Sequence, residues 1–175
     1  VMIAGGSVKA KHVVVTIGRM GKPNKPDYKI PAAIKKQVGY TLDGCSEGEK
    51  IMVVGGGDSA VEYAVDLCDK NDVTICYRRE NFRRANPTNQ KDIAEATENG
   101  SVRAIMGANI LGLEAENGRV KVLLDEGDDE CYDRVIYAIG GTTPSAFLTS
   151  SGIAIEDGKP VHDENYETNI KELYV

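Results

Sequence analysis

The residues best suited to chemistry in this chain form a glycine-rich turn after a short apolar run. Gly55, Gly57 and Ala60 fit the spacing G-x-G-x-x-G/A, and residues 50–54 before them have the composition of a buried strand. Gly55 permits a tight turn, Gly57 lets the backbone approach a pyrophosphate, and Ala60 lets the next helix pack close to the strand. The unpaired N–H groups at the start of that helix favour phosphate. The pattern predicts a dinucleotide site, with a plain structural turn as the alternative.

The segment after the next predicted strand, residues 73–77, bears on the choice of nucleotide. It contains Arg78, Arg79, Arg83 and Arg84. A fold that prefers NAD usually places Asp or Glu at this strand end to bind the ribose 2′-hydroxyl, whereas guanidinium groups suit a 2′-phosphate. The first three arginines therefore predict NADPH. Glu80, the nearest acid, either pairs with an arginine or serves as a displaced ribose ligand, and a solvated basic turn is the alternative for the whole segment.

Composition limits the class of protein. The chain has 175 residues, 19 glycines, 41% hydrophobic residues and a net charge of −6, which is typical of a soluble α/β protein. The negative charge and the lack of a second dense basic cluster argue against a nucleic-acid partner. No apolar run approaches the ~20 residues needed to cross a bilayer. The spacing of the four cysteines matches neither a zinc site nor a disulfide scaffold: Cys45, Cys68, Cys76 and Cys131. A reduced, cytoplasmic protein is therefore expected.

The segments around the turn predict an α/β fold. Helices are expected over residues 59–70 and 88–98, and a strand over 102–106. Three stretches then alternate apolar and polar residues, with Asn117-Gly118 as a hairpin signal: 110–115, 119–124 and 131–138. The sequence predicts a Rossmann-like parallel sheet with helices and an antiparallel three-stranded β-meander on one face. Residues 1–18 are expected to form a strand pair that turns at Gly5-Gly6-Ser7 and includes a strand over 13–17.

Several motifs resemble those of the thioredoxin reductase-like flavoproteins, members of the pyridine nucleotide-disulfide oxidoreductase superfamily. Residues 55–62 (GGGDSAVE) and 77–83 (YRRENFR) are similar to the GGGxSAxE and HRRxxxR motifs of their NADPH-binding domain. Residues 12–18 and 134–140 resemble that superfamily's strands ending in A-T-G or A-I-G. The resemblance implies a trailing segment of a flavin domain over 1–22, an NAD(P)H-binding domain over 23–147, and a return segment into the flavin domain over 148–175.

The resemblance also implies a role for each site residue. Gly55, Gly57 and the N–H groups of Asp58 and Ser59 would hold the pyrophosphate, while the Asp58 side chain caps the helix and faces away. Glu62 would lie near the nicotinamide, with a helix-surface acid as the alternative. No catalytic residue and no metal ligand is expected. The expected cofactor-binding set is Gly55, Gly56, Gly57, Asp58, Ser59, Ala60, Glu62, Arg78, Arg79, Arg83, Ile139, Gly140 and Gly141.

The chain departs from the family at the redox dithiol. Low-molecular-weight thioredoxin reductases carry C-x-x-C before the glycine turn, whereas this region holds the single Cys45. Because a lone thiol lacks a resolving partner, we expect a parent protein that passes electrons from FAD to another acceptor, as in the ferredoxin–NADP reductase-like branch, or through a cysteine elsewhere. FAD is expected in that parent protein but not in this chain. The resemblance allows the parent protein to be a homodimer. The alternative is a nucleotide-binding sensor or structural module without turnover.

Overall fold

The computed structural model describes residues 2–3, 6–18 and 21–175 of the chain. The chain divides into a terminal unit, residues 1–22 and 141–175, and a central unit, residues 23–140. The strands, in chain order, are β1 (Met2–Ile3), β2 (Gly6–Ser7), β3 (Val13–Val14), β4 (Val38–Gly39), β5 (Lys50–Val54), β6 (Asp72–Tyr77), β7 (Val102–Met106), β8 (Ile110–Glu116), β9 (Arg119–Leu124), β10 (Glu130–Tyr132), β11 (Arg134–Tyr137), β12 (Ile155–Glu156), β13 (Lys159–Pro160) and β14 (Leu173–Tyr174). The helices are α1 (Asp58–Cys68), α2 (Pro87–Glu98) and α3 (Ser145–Ser150), with a 3-10 turn over Ala32–Ile34.

The central unit is built on a five-stranded parallel sheet in the order β4-β11-β5-β6-β7. α1 connects β5 to β6 and α2 connects β6 to β7, so these elements form two successive βαβ units. Ile51, Met52 and Val53 of β5 are fully buried, as expected for a parallel strand covered on both faces. The predicted Rossmann-like sheet with helices is confirmed.

The two faces of this sheet are covered by different structures. On one face, α1 and α2 pack over β5 and β6 through Ala60, Val61, Ala64, Leu67, Ile93 and Ala96. On the other face lies an antiparallel sheet in the order β10-β9-β8, whose buried side chains are Leu113, Val120, Val122 and Tyr132. The predicted three-stranded meander on one face is therefore confirmed.

The last predicted meander strand, residues 131–138, is wrong in its extent, because this stretch contains two strands of different sheets. β10 pairs antiparallel with β9, whereas β11 pairs parallel with β5. Asp133 lies between them, where its carboxylate accepts hydrogen bonds from the Lys50 N–H (2.8 Å) and from Nε of Arg119 (2.8 Å). These bonds fix the corner at which the chain leaves the meander and enters the parallel sheet.

Both long helices begin one residue earlier than predicted. Gly57, in the extended conformation, is the N-cap of α1, so the helix begins at Asp58. Asn86 caps α2 by accepting a hydrogen bond from the Asn89 N–H (3.0 Å), and Pro87 suits the first helical position. Among the helices of the described residues, none is long and apolar enough to cross a membrane.

The terminal unit differs from the predicted strand pair. β1 pairs antiparallel with β2, so Gly6 and Ser7 are strand residues rather than turn residues, and Gly5 lies outside the described residues. The predicted strand over 13–17 is confined to β3, which pairs in parallel with β14. The expected pairing of residues 1–18 among themselves was therefore wrong for β3, because its partner lies far along the chain.

An ionic cluster fastens β10 to the parallel sheet. Glu130 accepts hydrogen bonds from both terminal nitrogens of Arg103 (2.6 and 2.7 Å) and from Nζ of Lys50 (2.9 Å). Arg103 also donates to the Tyr132 hydroxyl (2.8 Å). The bonds from Arg103, followed by those from Lys50, lower the pKa of Glu130 to about 2 despite its partial burial.

We expect Glu130→Gln to lower the free energy of unfolding at neutral pH by about 1–2 kcal/mol, after allowance for solvent screening. Because the folded pKa lies below the usual value, the contribution of Glu130 is complete above pH ~4.5 and is lost as the pH falls towards about 2. Urea unfolding over this pH range should show a smaller loss of stability in the variant than in the wild type. Glu126→Gln, at an exposed position of the loop that precedes β10, is the control. Equal pH slopes for the wild type and Glu130→Gln would contradict the assignment.

Candidate functional site

The strand order places a topological switch point at the carboxyl ends of β5 and β11. The chain leaves β5 through α1 towards β6 on one side, whereas β11 lies on the other side of β5. Open α/β sheets bind ligands at such a switch point. The glycine turn, residues 55–57, follows β5, and Ile139 and Gly140 follow β11. The fold therefore brings these predicted site residues to one edge of the sheet.

The first two glycines of the turn are required by packing within the protein. Gly55 has φ +144°, and a Cβ there would collide with the carbonyl oxygen of Ala138. Ala138 itself donates its N–H to the Val54 oxygen (2.8 Å), which keeps β5 and β11 paired to their ends. A Cβ on Gly56 would collide with the ring of Tyr77. Ala60 is fully buried beneath the turn, so a larger side chain there would push α1 away from the sheet.

The third glycine is different, because its Cβ position is open. A Cβ on Gly57 would meet no atom within 4 Å, and its backbone (φ −100°, ψ −176°) is extended. The N–H groups of Asp58 and Ser59, in the first turn of α1, have no acceptor among the described residues. An open Cβ position beside free N–H groups at a helix N-terminus fits the pyrophosphate of a dinucleotide.

Asp58 does not cap its own helix, contrary to the prediction, because Gly57 occupies the cap position. Its Oδ1 instead accepts hydrogen bonds from N and Nδ2 of Asn86 (2.7 and 2.8 Å) and from Nδ2 of Asn89 (2.8 Å). These bonds, first of all that from the Asn86 backbone, lower the pKa of Asp58. The carboxylate is thus engaged with the start of α2.

Glu62 is exposed on α1 and accepts a hydrogen bond from Nδ2 of Asn89 (2.9 Å). The buried Asn89 amide therefore holds both Asp58 and Glu62. Sequence reasoning did not identify Asn89. The Asn-Pro pair that begins α2 was the available signal, since it marks the helix end that meets α1.

The arginines line one pocket of about 400 Å³ beyond the carboxyl end of β6. Its lining residues are Tyr77, Arg78, Arg79, Glu80, Asn81, Arg83 and Arg84. All four arginines are exposed, and none forms an ion pair with an acid in the part of the chain that the structure describes. Arg84, which was not in the predicted cofactor-binding set, thus lines the same pocket as the three predicted arginines. Glu80 does not pair with an arginine, because its carboxylate lies against Gly107, just after β7.

The segment after β11 is held by Asn24, which sequence reasoning also missed. Its Nδ2 donates to the Ile139 oxygen (3.3 Å), and its N–H donates to the Gly140 oxygen (2.9 Å). Ile139 is partly exposed and Gly140 has φ +88°, so both fit a chain segment open to a ligand. Gly141 belongs to the terminal unit, and its place in the cofactor-binding set stays a prediction.

The cysteines give no sign of a redox pair within the described residues. All four are free thiols. Burial raises the pKa of the Cys45 thiol, which disfavours the reactive thiolate. No group of three or more His, Cys, Asp or Glu side chains in the described ranges could hold a metal ion.

Comparison with known proteins supports a relationship over the whole chain. The family described as "Pyridine nucleotide-disulphide oxidoreductase" matches residues 1–175. The ferredoxin–NADP reductase of Thermus thermophilus is 27% identical over an alignment of 187 positions that covers 97% of this chain and 53% of that protein. The ferredoxin–NADP reductase of Anaplasma phagocytophilum is 32% identical over 122 positions, which cover 67% of this chain and 36% of that protein. The chain thus spans about a third to a half of the length of these relatives.

Solved structures show the same architecture. The thioredoxin reductase of Lactococcus lactis aligns with a TM-score of 0.68 and 25% identity, over 87% of this chain and 54% of that one. The thioredoxin reductase of T. acidophilum aligns with a TM-score of 0.70 over 94% of this chain and 56% of that one, and its 20% identity supports a shared fold alone.

Proposed function

The chain belongs to the pyridine nucleotide-disulphide oxidoreductase family, and from this premise we propose that it contains the NADPH-binding domain of a flavin-dependent reductase. The central unit, residues 23–140, would bind the nucleotide. The observation that carries the proposal is the open Cβ position of Gly57 beside the free N–H groups of α1. The unpaired arginines of the neighbouring loop support NADPH over NADH.

Each part of the site has a distinct task in this proposal. The N–H groups of Asp58 and Ser59 bind the pyrophosphate, which also faces the positive end of the α1 dipole. Arg78, Arg79 and Arg83 bind the 2′-phosphate through charge-assisted hydrogen bonds. Ile139 and Gly140, fixed by Asn24, border the bound nucleotide on the β11 side.

The chemistry itself would belong to the cofactors: NADPH would supply a hydride, and FAD in the parent protein would accept it. The protein's part is to hold the nucleotide and orient it. Glu62, held by Asn89, is assigned to the nicotinamide end on the resemblance to the family. The relatives named ferredoxin–NADP reductases favour a final electron acceptor other than a disulfide of this chain. So does Cys45, a half-buried free thiol without a C-x-x-C partner.

We expect a full-length parent protein that carries this sequence to lose its oxidised-flavin absorbance when NADPH is added without oxygen. NADH at the same concentration should act more slowly, because it lacks the group that the arginines bind. Stopped-flow absorbance measures both rates. Binding of NADPH without any loss of flavin absorbance would favour the second candidate function, a nucleotide-binding sensor without turnover.

A further inference from the structure

Phe82 lies in the middle of the arginine loop, with Arg78 and Arg79 before it and Arg83 and Arg84 after it. We propose that Phe82 is a positioning residue that sets the nucleotide selectivity of the pocket by holding both arginine pairs around it. This inference rests on the proposed function, in which the pocket takes the 2′-phosphate of NADPH.

The ring of Phe82 stacks on the ring of Tyr77. The ring centroids are 5.8 Å apart and the planes differ by 8°. Tyr77 is 7% exposed, whereas Phe82 is half-buried and packs against the core on the helix face of the sheet. Phe82 is therefore the apolar side chain by which an otherwise polar loop is fixed to the end of β6.

The backbone after Phe82 is fixed by further contacts. The Phe82 carbonyl accepts a hydrogen bond from the Ala85 N–H (2.9 Å), and the Ala85 carbonyl accepts one from Nε2 of Gln90 (2.6 Å). Ala85 is buried, and the next residue, Asn86, is bonded to Asp58. The guanidinium groups have no hydrogen-bond partner among the described residues, so their places depend on the loop backbone. Phe82 anchors this backbone from the middle of the loop, and the Gly107 N–H donates to the Arg79 carbonyl at its start (3.2 Å).

Tyr77 connects the same stack to the glycine turn. Its ring lies so close to Gly56 that no Cβ fits between them. Its hydroxyl is buried and has no hydrogen-bond partner among the described residues, and a buried, unsatisfied hydroxyl is unfavourable. The Tyr77 ring therefore contributes through its packing and not through a hydrogen bond of its hydroxyl. One aromatic pair touches both the turn assigned to the pyrophosphate and the loop assigned to the 2′-phosphate, and so fixes the distance between them.

The alternative is that Phe82 only fills space in the core. Phe82→Ala would then lower stability without changing the choice between nucleotides. The two cases differ in the ratio of NADPH to NADH affinity, because NADH uses the glycine turn and makes no 2′-phosphate contact.

The test measures the affinities of NADPH and NADH by titration calorimetry, and thermal stability, for the wild type, Phe82→Ala, Phe82→Leu and Phe82→Tyr. We expect Phe82→Ala to reduce the ratio of NADPH to NADH affinity about tenfold, equivalent to ~1.4 kcal/mol, with NADH affinity nearly unchanged. Phe82→Leu keeps an apolar anchor without the ring and should reduce the ratio less. Phe82→Tyr keeps the aromatic stack and should keep the wild-type ratio of NADPH to NADH affinity. Phe147→Ala, at the half-exposed phenylalanine of α3, is the control and should leave the ratio unchanged.

An unchanged ratio of NADPH to NADH affinity in Phe82→Ala and Phe82→Leu would overturn the inference while leaving the proposed function in place. This holds whether the melting temperature falls, the two affinities fall equally, or neither changes. A wild-type chain that binds NADPH and NADH equally would overturn the proposed use of the arginines, and the inference with it.

Discussion

Gly57→Val is expected to abolish tight binding of both NADPH and NADH while the protein stays folded. The extended backbone at Gly57 accommodates valine, and nothing lies within 4 Å of the new Cβ. The side chain would instead occupy the space assigned to the pyrophosphate. Loss of two charge-assisted hydrogen bonds from the first turn of α1 would cost about 3 kcal/mol, or roughly 150-fold in affinity.

Titration calorimetry and thermal unfolding of the same samples test this result. Gly6→Val, at another glycine with no atom within 4 Å of its Cβ position, is the matched control and should bind like the wild type. Gly56→Ala, unlike Gly57→Val, should lower the melting temperature, because its Cβ would collide with Tyr77. If Gly57→Val bound NADPH within a few-fold of the wild type, the pyrophosphate could not lie at this turn.

The double substitution Arg78→Ala/Arg79→Ala is expected to remove most of the preference for NADPH and to leave NADH affinity nearly unchanged. Two charge-assisted contacts with the 2′-phosphate, discounted for exposure and salt, contribute about 2–3 kcal/mol. The wild-type preference for NADPH should therefore be around 30- to 150-fold. Calorimetric titration of each nucleotide against the wild type and the double variant measures it.

Lys35→Ala/Lys36→Ala removes the same charge from two adjacent exposed positions outside the pocket. It is the control for the overall electrostatic effect and should keep the preference. Equal affinities of the wild type for NADPH and NADH would mean that the arginine loop is only a solvated basic turn.

Much of the central unit could be predicted from local sequence. The apolar run of β5, the glycine spacing and Ala60 each constrain a few consecutive residues, and the turn between β5 and α1 lies where they indicate. The meander could also be predicted, since Asn117 and Gly118 both adopt positive φ values between β8 and β9.

The change of sheet at Asp133 could not be predicted, because β10 and β11 continue one alternating pattern. The break depends on Lys50 and Arg119, which are distant in sequence. The same holds for the residues that support the site. Asn24 and Asn89 are ordinary polar residues until folding brings them to Ile139 and to Asp58. Asp58 was misassigned as a cap because its position suits one, whereas Gly57 already holds the extended cap conformation.

The most direct test of NADPH binding at this site is an amide NMR titration of the ¹⁵N-labelled 175-residue chain with NADPH. If the central unit binds the nucleotide as proposed, saturable shifts should be concentrated at Gly57, Asp58 and Ser59, in the loop from Arg78 to Arg84, and at Ile139 and Gly140. NADH should produce the shifts at the turn without those of the arginine loop. Saturable shifts confined to other residues, or no shifts at a large excess of NADPH, would contradict the assignment of this chain as an NADPH-binding domain.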